Sequence, residues 1–378
     1  MALVELVATG IAAGGDAVAR GDDGRVVFVR GALPGERVRV ELTEEKPRFA
    51  RARTVEVLDP AGGRVSPPCP HVARGCGGCT WQHIDAETQR SLKVEIVRDA
   101  LARIGGVDAP RVEPGPVLVP YGHRTTIRVA SLEGAVGFRR HRTHEIVDVD
   151  DCLVAHPLLV DLLGTLDPGD ATELTLRCGA RTGETLIVGP TTPPGAHIHE
   201  IVAGARFRVS AHSFFQVRPD GADALVGAVG AAIAGAPDGP LIDAYGGVGL
   251  FAATLAGDRA ATIVEWSKAA VADARANLPD ATVLRLDLAR WRPSPAAVVV
   301  ADPSREGLGA KVVGVLAGTG ATHLALVSCD PASLARDAKL LAGQGFAHDG
   351  TTLVDLFPHT PHVEAVTRFI REAPRRRR

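Results

Sequence analysis

Leu241-Ile-Asp-Ala-Tyr-Gly-Gly-Val-Gly-Leu-Phe-Ala252 decides the fold of the larger part of this 378-residue chain. A short apolar strand runs into a glycine-rich turn and then into a helix of small apolar residues. Glycines at such a turn permit tight turning and close approach of backbone to a ligand. Outward from it, strand and helix patterns alternate. Residues 261–266 (ATIVEW) read as a strand and 267–278 (SKAAVADARANL) as a helix, followed by strands at 282–287 (TVLRLD) and 296–303 (AAVVVADP). The strand HLALVS (323–328) leads into the helix PASLARDAKLLAGQG, and TTLVDLFP and HVEAVTRFI supply two last strands. This is the pattern of a doubly wound α/β domain over 214–378, whose ligands lie at the carboxyl ends of its strands.

The strand ends carry acids. Glu265 closes the second strand, where a carboxylate can accept both ribose hydroxyls, and Asp287 closes the third, near the place of an adenine amino group. Asp302 closes the fourth, in Asp-Pro-Ser-Arg-Glu-Gly. Gly247, Gly249 and Ala252 fit G-x-G-x-x-G/A, which nicotinamide enzymes share. An acid after each of successive strands discriminates better and points to S-adenosylmethionine. For Asp287 alone, a plain turn or capping role is the competing expectation.

Cys329 ends a strand, with Asp330 as helix N-cap and Pro331 in the first turn. The unpaired amides of a helix N-terminus favour a thiolate, so the thiol pKa is expected to fall, with the Asp330 charge opposing. Carbon 5 of uracil is a poor nucleophile until a thiolate adds to carbon 6. A base must then remove the hydrogen from carbon 5 before the thiolate can leave. Glu364, in PHTPHVEAV, is the candidate for that base.

The first sixty residues read as five short strands punctuated by Gly, Pro and Asp-Gly, suited to an OB-like barrel over 1–60. Residues 61–213 form a central strand-rich region. In it, Cys69-Pro-His-Val-Ala-Arg-Gly-Cys76-Gly-Gly-Cys79 places three thiols in one loop, and Cys152 is the best-placed fourth ligand. Four cysteines suit zinc or an iron–sulfur cluster, and spacing does not separate them. Cys178 reads as core, and His359 and His362 as structural. Residues 84–104 form an amphipathic helix capped by Asp85. Arg124, Arg128, Arg139, Arg140 and Arg142, against Glu133, suit a phosphate backbone and hence an RNA partner.

Bulk composition is globular, 46% hydrophobic and 23% charged, and the net charge of −2 does not itself advertise nucleic acid. With no long apolar run and no signal-peptide pattern, a cytoplasmic protein with no membrane partner is expected, as a monomer. Six cysteines in a reducing compartment then read as metal ligands or catalysts rather than disulfides.

Together these motifs resemble the RNA uracil-5-methyltransferase family over nearly the whole chain. The barrel is similar to a TRAM domain, and CPHVARGCGGCTWQH with Cys152 to a loop that holds a [4Fe–4S] cluster. SAHSFFQV, DAYGGVGLF, the strand ending in Glu265 and DPSREG are similar to cofactor and substrate motifs. The resemblance thus implies that Gln216, Tyr245, Gly247, Glu265 and Asp302 surround S-adenosylmethionine. VSCDPASLARD and FPHTPHVE are similar to the nucleophile and closing motifs, which implies those roles for Cys329 and Glu364. It also implies that the helix at 84–104 packs on the catalytic domain, leaving the domains interleaved. Asp330, Ser304 and Arg218 stand where many relatives have Asn, Pro and Asn. The expected target is 23S rRNA, because relatives acting on transfer RNA often lack the TRAM-like part; transfer RNA is the alternative. Two rivals are methylation of an exocyclic amine, which would need no Cys329, and a redox-responsive RNA-binding protein with an inactive methyltransferase fold. The cluster is expected to be structural, holding the basic hairpin at 121–144.

Overall fold

The computed structural model describes residues 3–371 apart from 133 and 142. Arg142, Glu133 and the terminal arginine run lie outside the described residues.

Strands Leu3–Ile11, Ala17–Arg20, Val26–Arg30, Arg37–Glu45 and Phe49–Asp59 close into a barrel. Their alternation sends Leu6, Ala8, Val27, Val29, Val38 and Val40 inward, with Ala17 and Ala19 filling the narrow interior. The fully buried Glu36 ties the barrel to the linker. Its carboxylate accepts from Arg64 Nη2 at 2.7 Å, Leu33 N at 2.8 Å and Ala61 N at 3.2 Å. Burial alone would raise its pKa, but the Arg64 guanidinium and the two amides outweigh it and hold the group below the usual carboxylate range.

A five-stranded sheet follows, in the order Thr185–Val188, Glu173–Cys178, Thr126–Leu132, Ala135–Arg139, Ile146–Asp148. Its inner face packs on the helix Pro157–Gly164, and Cys178 is part of that core.

The third unit is an eight-stranded sheet in the order Thr282–Arg285, Ala261–Glu265, Leu241–Ala244, Val298–Ala301, His323–Ser328, Ala365–Ile370, Ala347–Leu353, Val112–Pro114. The first five strands are parallel. The chain runs one way from Leu241–Ala244 and returns beside it at Val298–Ala301, so the order reverses there and a ligand crevice opens beyond those strand ends.

The units are interleaved. Val112–Pro114 joins the edge of the eight-stranded sheet beside Ala347–Leu353. The helix Ala86–Arg103, capped by Asp85 onto Thr88 N, buries Val94, Val97 and Leu101 in one core with Leu334, Ala338 and Leu341. The hairpin His197–Val202 and Ala205–Ser210 precedes residue 213, yet Ile198, Phe207 and Val209 share a core with Leu225 and Val229 of helix Pro219–Ile233. A boundary near 213 therefore falls within one continuous core. Among the described residues no helix is long and apolar enough to cross a membrane.

Candidate active site

The crevice is a cavity of about 850 Å³ at the carboxyl ends of the parallel strands. Its first wall is the turn after Leu241–Ala244. Tyr245, Gly247 and Gly249 all take left-handed backbone, with φ of 59°, 55° and 91°. For a tyrosine that conformation is strained and is held only by its surroundings. At Gly249 a Cβ would sit 2.6 Å from Leu278, so the helix can start this close to the sheet only from glycine. Buried Asp243 secures that start by accepting from Ala252 N at 2.9 Å. Burial, offset in part by that amide, pushes its pKa up to about 7.

Glu265 stands at the next strand end and lines the cavity, accepting from Gly247 N at 3.1 Å, Trp266 N at 2.8 Å and Ser267 N at 2.7 Å. Gln216 also lines the cavity and is buried, while Phe214, on the same wall segment, is 70% exposed. The cavity wall does not include Asp287. Its carboxylate caps the short helix Leu288–Arg290 by accepting from Ala289 N at 2.9 Å, and Arg290 lies 3.8 Å away. That is the capping role, although its charge still reaches Tyr245.

Asp302, Cys329 and Glu364 meet at the far end of the cavity. Glu364 is buried and Asp302 half-buried at the cavity wall. Burial pushes Asp302 up to about 7, and burial followed by the Asp302 charge holds Glu364 well above the usual carboxylate range. The Cys329 thiol does not fall as expected from the helix N-terminus. Burial first, then the charges of Glu364 and Asp302, push it up to about 11, against the opposing Arg305. Asp330 performs the capping role, accepting from Ser333 N at 2.7 Å. Arg218 at the family-atypical position is enclosed, held by Asp220 at 2.6 Å and donating to Val119 O at 2.8 Å.

Three further residues of this wall, His123, Arg305 and Thr360, were not assigned a role from the sequence, and His362, expected to be structural, lines it too. Burial drives His123 down to about 3 and His362 to about 4, so both imidazoles are neutral at physiological pH.

Cys69, Cys76, Cys79 and Cys152 line a second cavity of about 270 Å³. Gly77, Gly78, Cys79, Arg124 and Val154 form a wall common to both cavities. Among the described residues no group of three or more His, Cys, Asp or Glu side chains is set to hold a metal ion. The loop is docked on the basic hairpin by backbone. Gly77 N donates to Arg139 O at 3.1 Å, Cys76 bridges Arg140, and a Cβ on Gly77 would stand 2.9 Å from Arg139 O. Of the predicted RNA-facing arginines, Arg124 lies between the cavities and Arg128 and Arg139 line the smaller one. The basic stretch is less free than its sequence neighbours suggest. Glu173 from the adjacent strand stands 3.5 Å from Arg128 and 3.8 Å from Arg139, and Glu145 2.9 Å from Arg140. Such exposed pairs contribute little stability and separate readily.

Comparison with known proteins agrees with this geometry. Residues 4–55 match the TRAM domain model. An uncharacterized RNA methyltransferase of Streptomyces coelicolor is 36% identical over 94% of this chain and 90% of its own. The 23S rRNA (uracil(1939)-C(5))-methyltransferase of Alkalilimnicola ehrlichii is 31% identical over 98% of this chain and 97% of its own. Among solved structures, the Pyrococcus abyssi tRNA (uracil-54, C5)-methyltransferase in complex with S-adenosyl-L-homocysteine superposes with a TM-score of 0.79 at 23% identity, covering 97% of this chain and 99% of that one. That coverage includes the barrel, so the barrel does not by itself separate ribosomal from transfer RNA. With full-length relatives above 30% identity and one fold from barrel to final strand, the chain belongs to the RNA uracil-5-methyltransferase family.

Proposed function

We propose that this protein transfers a methyl group from S-adenosylmethionine to carbon 5 of a uridine in RNA, with Cys329 as nucleophile and Glu364 as the base. The observation that carries the reading is that Cys329, Glu364, Asp302, Gln216 and the glycine turn line one cavity, large enough for a cofactor beside an extruded base. The donor set fits the cofactor: Glu265 suits the ribose hydroxyls and the left-handed turn at 245–249 permits close backbone approach. S-adenosylmethionine, when bound, supplies an electrophilic methyl group.

Everything else falls to the chain. The Cys329 thiol gives its proton to solvent, and the sulfur adds to carbon 6 of the ring, displacing the electrons of the 5,6 double bond so that carbon 5 becomes nucleophilic. After carbon 5 has been methylated, the Glu364 carboxylate takes the hydrogen from it as a proton. The carbon–sulfur bond then breaks, the ring double bond re-forms and the thiolate returns. A carboxylate held at a raised pKa is a stronger base than an ordinary one, which suits this transfer. Asp302 sustains that environment through its charge.

The full-length relatives named for 23S rRNA favour ribosomal RNA as the target, and Arg124, Arg128, Arg139 and Arg140 provide a basic path beside the cavity. The test is to incubate the protein with labelled methyl donor and separate pools of ribosomal and transfer RNA, then digest to nucleosides. Label in 5-methyluridine from ribosomal RNA supports the whole reading. Label from transfer RNA alone keeps the chemistry and changes the target, and label in any other nucleoside discards the mechanism.

We read the four-cysteine cavity, about 270 Å³ and lined by all four thiols, as the seat of an iron–sulfur cluster, a reading supported by the likeness of CPHVARGCGGCTWQH and Cys152 to the family's cluster loop. In a [4Fe–4S] cluster each thiolate binds a different iron. Cys69, Cys76, Cys79 and Cys152 would hold it, and its role would be structural, since the same loop is paired to the hairpin. Anaerobically purified protein is expected to contain iron and sulfide, and Cys152→Ser to lose most of both. Zinc in their place, or full retention of fold and RNA binding without the cluster, would overturn this assignment.

A further inference from the structure

The segment 355–364, which supplies Thr360, His362 and Glu364 to the active-site cavity, belongs to no strand or helix. Its conformation is nevertheless tightly specified from outside the catalytic domain. His359 takes a left-handed φ of 64°, which a non-glycine residue keeps only when its neighbours over-determine it. Those neighbours come from three directions. Trp81 N, two residues after Cys79, donates to His359 O at 2.8 Å. Gln89, buried in the helix Ala86–Arg103, accepts from His359 N through Oε1 at 2.6 Å. Its Nε2 donates to Ile84 O at 2.7 Å and Trp81 O at 3.2 Å. One turn further along that helix, the enclosed Lys93 donates to Asp355 at 2.7 Å and to Phe357 O at 2.8 Å. Tyr121, at the start of the basic hairpin region, stacks on the His359 ring with centroids 4.8 Å apart.

Gln89 is the centre of this arrangement. One amide side chain holds the cysteine-loop backbone with its nitrogen, which also lies 3.3 Å from His359 Nδ1, and the closing segment's backbone with its oxygen. All these groups are buried, so removing the amide leaves the His359 N–H without its acceptor, which is costly enough to move the backbone. Lys93 fixes the start of the segment, whereas Gln89 and Trp81 fix its middle, five residues before Glu364.

We infer that Gln89 is a positioning residue for the reaction: it locks the cysteine loop to the closing segment and thereby sets Glu364 against carbon 5 of the target base. The inference rests on the methylation reading above for its catalytic consequence. Its structural half, that Gln89 controls the path of 356–364, stands independently of it. A misplaced base slows the last chemical step after the covalent bond to Cys329 has formed, whereas general destabilisation lowers the amount of active enzyme and enriches no intermediate.

The experiment uses the full-length protein with its cluster and compares Gln89→Leu with Gln89→Glu. The leucine variant keeps most of the volume and loses both polar functions; the glutamate variant keeps the acceptor for His359 N. For Gln89→Leu, kcat for 5-methyluridine formation is expected to fall roughly ten- to a hundredfold. KM for S-adenosylmethionine should stay within about twofold, because no cofactor contact changes. A covalent protein–RNA species should accumulate on denaturing gels, and Gln89→Glu should recover part of the rate. In parallel, hydrogen exchange at 356–364 should rise in the leucine variant while the barrel and central sheet remain unchanged. Unchanged exchange at 356–364 overturns the inference whether or not the enzyme is active. A rate loss with no adduct, matched by the loss of folded protein, overturns it as well. Absence of 5-methyluridine with the unaltered protein refutes the methylation reading instead, and the exchange measurement still decides the structural half.

Discussion

Cys329→Ala is expected to abolish 5-methyluridine formation, with a rate loss of at least about four orders of magnitude, while cofactor binding and fold remain intact. The size follows from the mechanism, since without addition at carbon 6 the ring has no nucleophilic carbon 5 and no second route is available. Losing a covalent nucleophile costs on this scale even when every binding contact is preserved. The fold should tolerate the change because the thiol is only partly buried and makes no hydrogen bond that organises the strand end; Asp330 and Pro331 start the following helix without it. The check is single-turnover labelling of RNA, together with trapping on RNA that carries 5-fluorouridine at the target position. The unaltered enzyme should give a stable covalent species and Cys329→Ala none. Residual methylation of uridine carbon 5 within a hundredfold of the original rate would exclude Cys329 as nucleophile.

What could be read from the sequence was whatever a strand end or a turn forces onto local residues. The alternation of strands and helices after residue 240, the turn at 245–249 and the capping roles of Asp85 and Asp330 depend on neighbouring residues, and all are found in the structure. Side chains whose role depends on what the fold brings opposite them were not readable. Asp287 sits at a strand end like Glu265, but its carboxylate folds back on Ala289 N and the cavity passes it by. Glu173 neutralises part of the basic hairpin from a strand much further along the chain. His362 has ligand-like spacing from His359 but no partner near it in sequence, and His123 stands alone, so neither could be placed at the cavity that both line. The Cys329 thiol shows the same limit. The helix N-terminus that favours a thiolate is local, whereas the two carboxyls that oppose it come from residues 302 and 364.

Those carboxyls lead to a result that separates the two halves of the reaction. Glu364→Gln is expected to leave the addition step operating and to stop the enzyme after methylation, so that about one equivalent of RNA becomes covalently held. Turnover should fall by roughly 10² to 10⁴, the usual worth of a positioned general base. The same substitution should make Cys329 easier to ionise. Burial is the largest cause of its raised pKa and stays, but the Glu364 charge is the next cause and is removed. Since a neighbouring negative charge disfavours thiolate, the midpoint for alkylation of Cys329, followed on its own peptide by mass spectrometry, should move below about 11 in the variant. For the unaltered enzyme the sign runs the other way along the pH axis. Both the Cys329 thiol and the Glu364 carboxyl must lose a proton to act, and both have raised pKa values. The methylation rate should therefore climb with pH through neutrality and into the alkaline range, with no alkaline fall from either group. An acidic optimum, or a Glu364→Gln variant that turns over without accumulating adduct, would assign proton removal to another group. Asp302 is then the residue to replace next, because it is the other carboxyl whose charge reaches the thiol and it lines the same cavity.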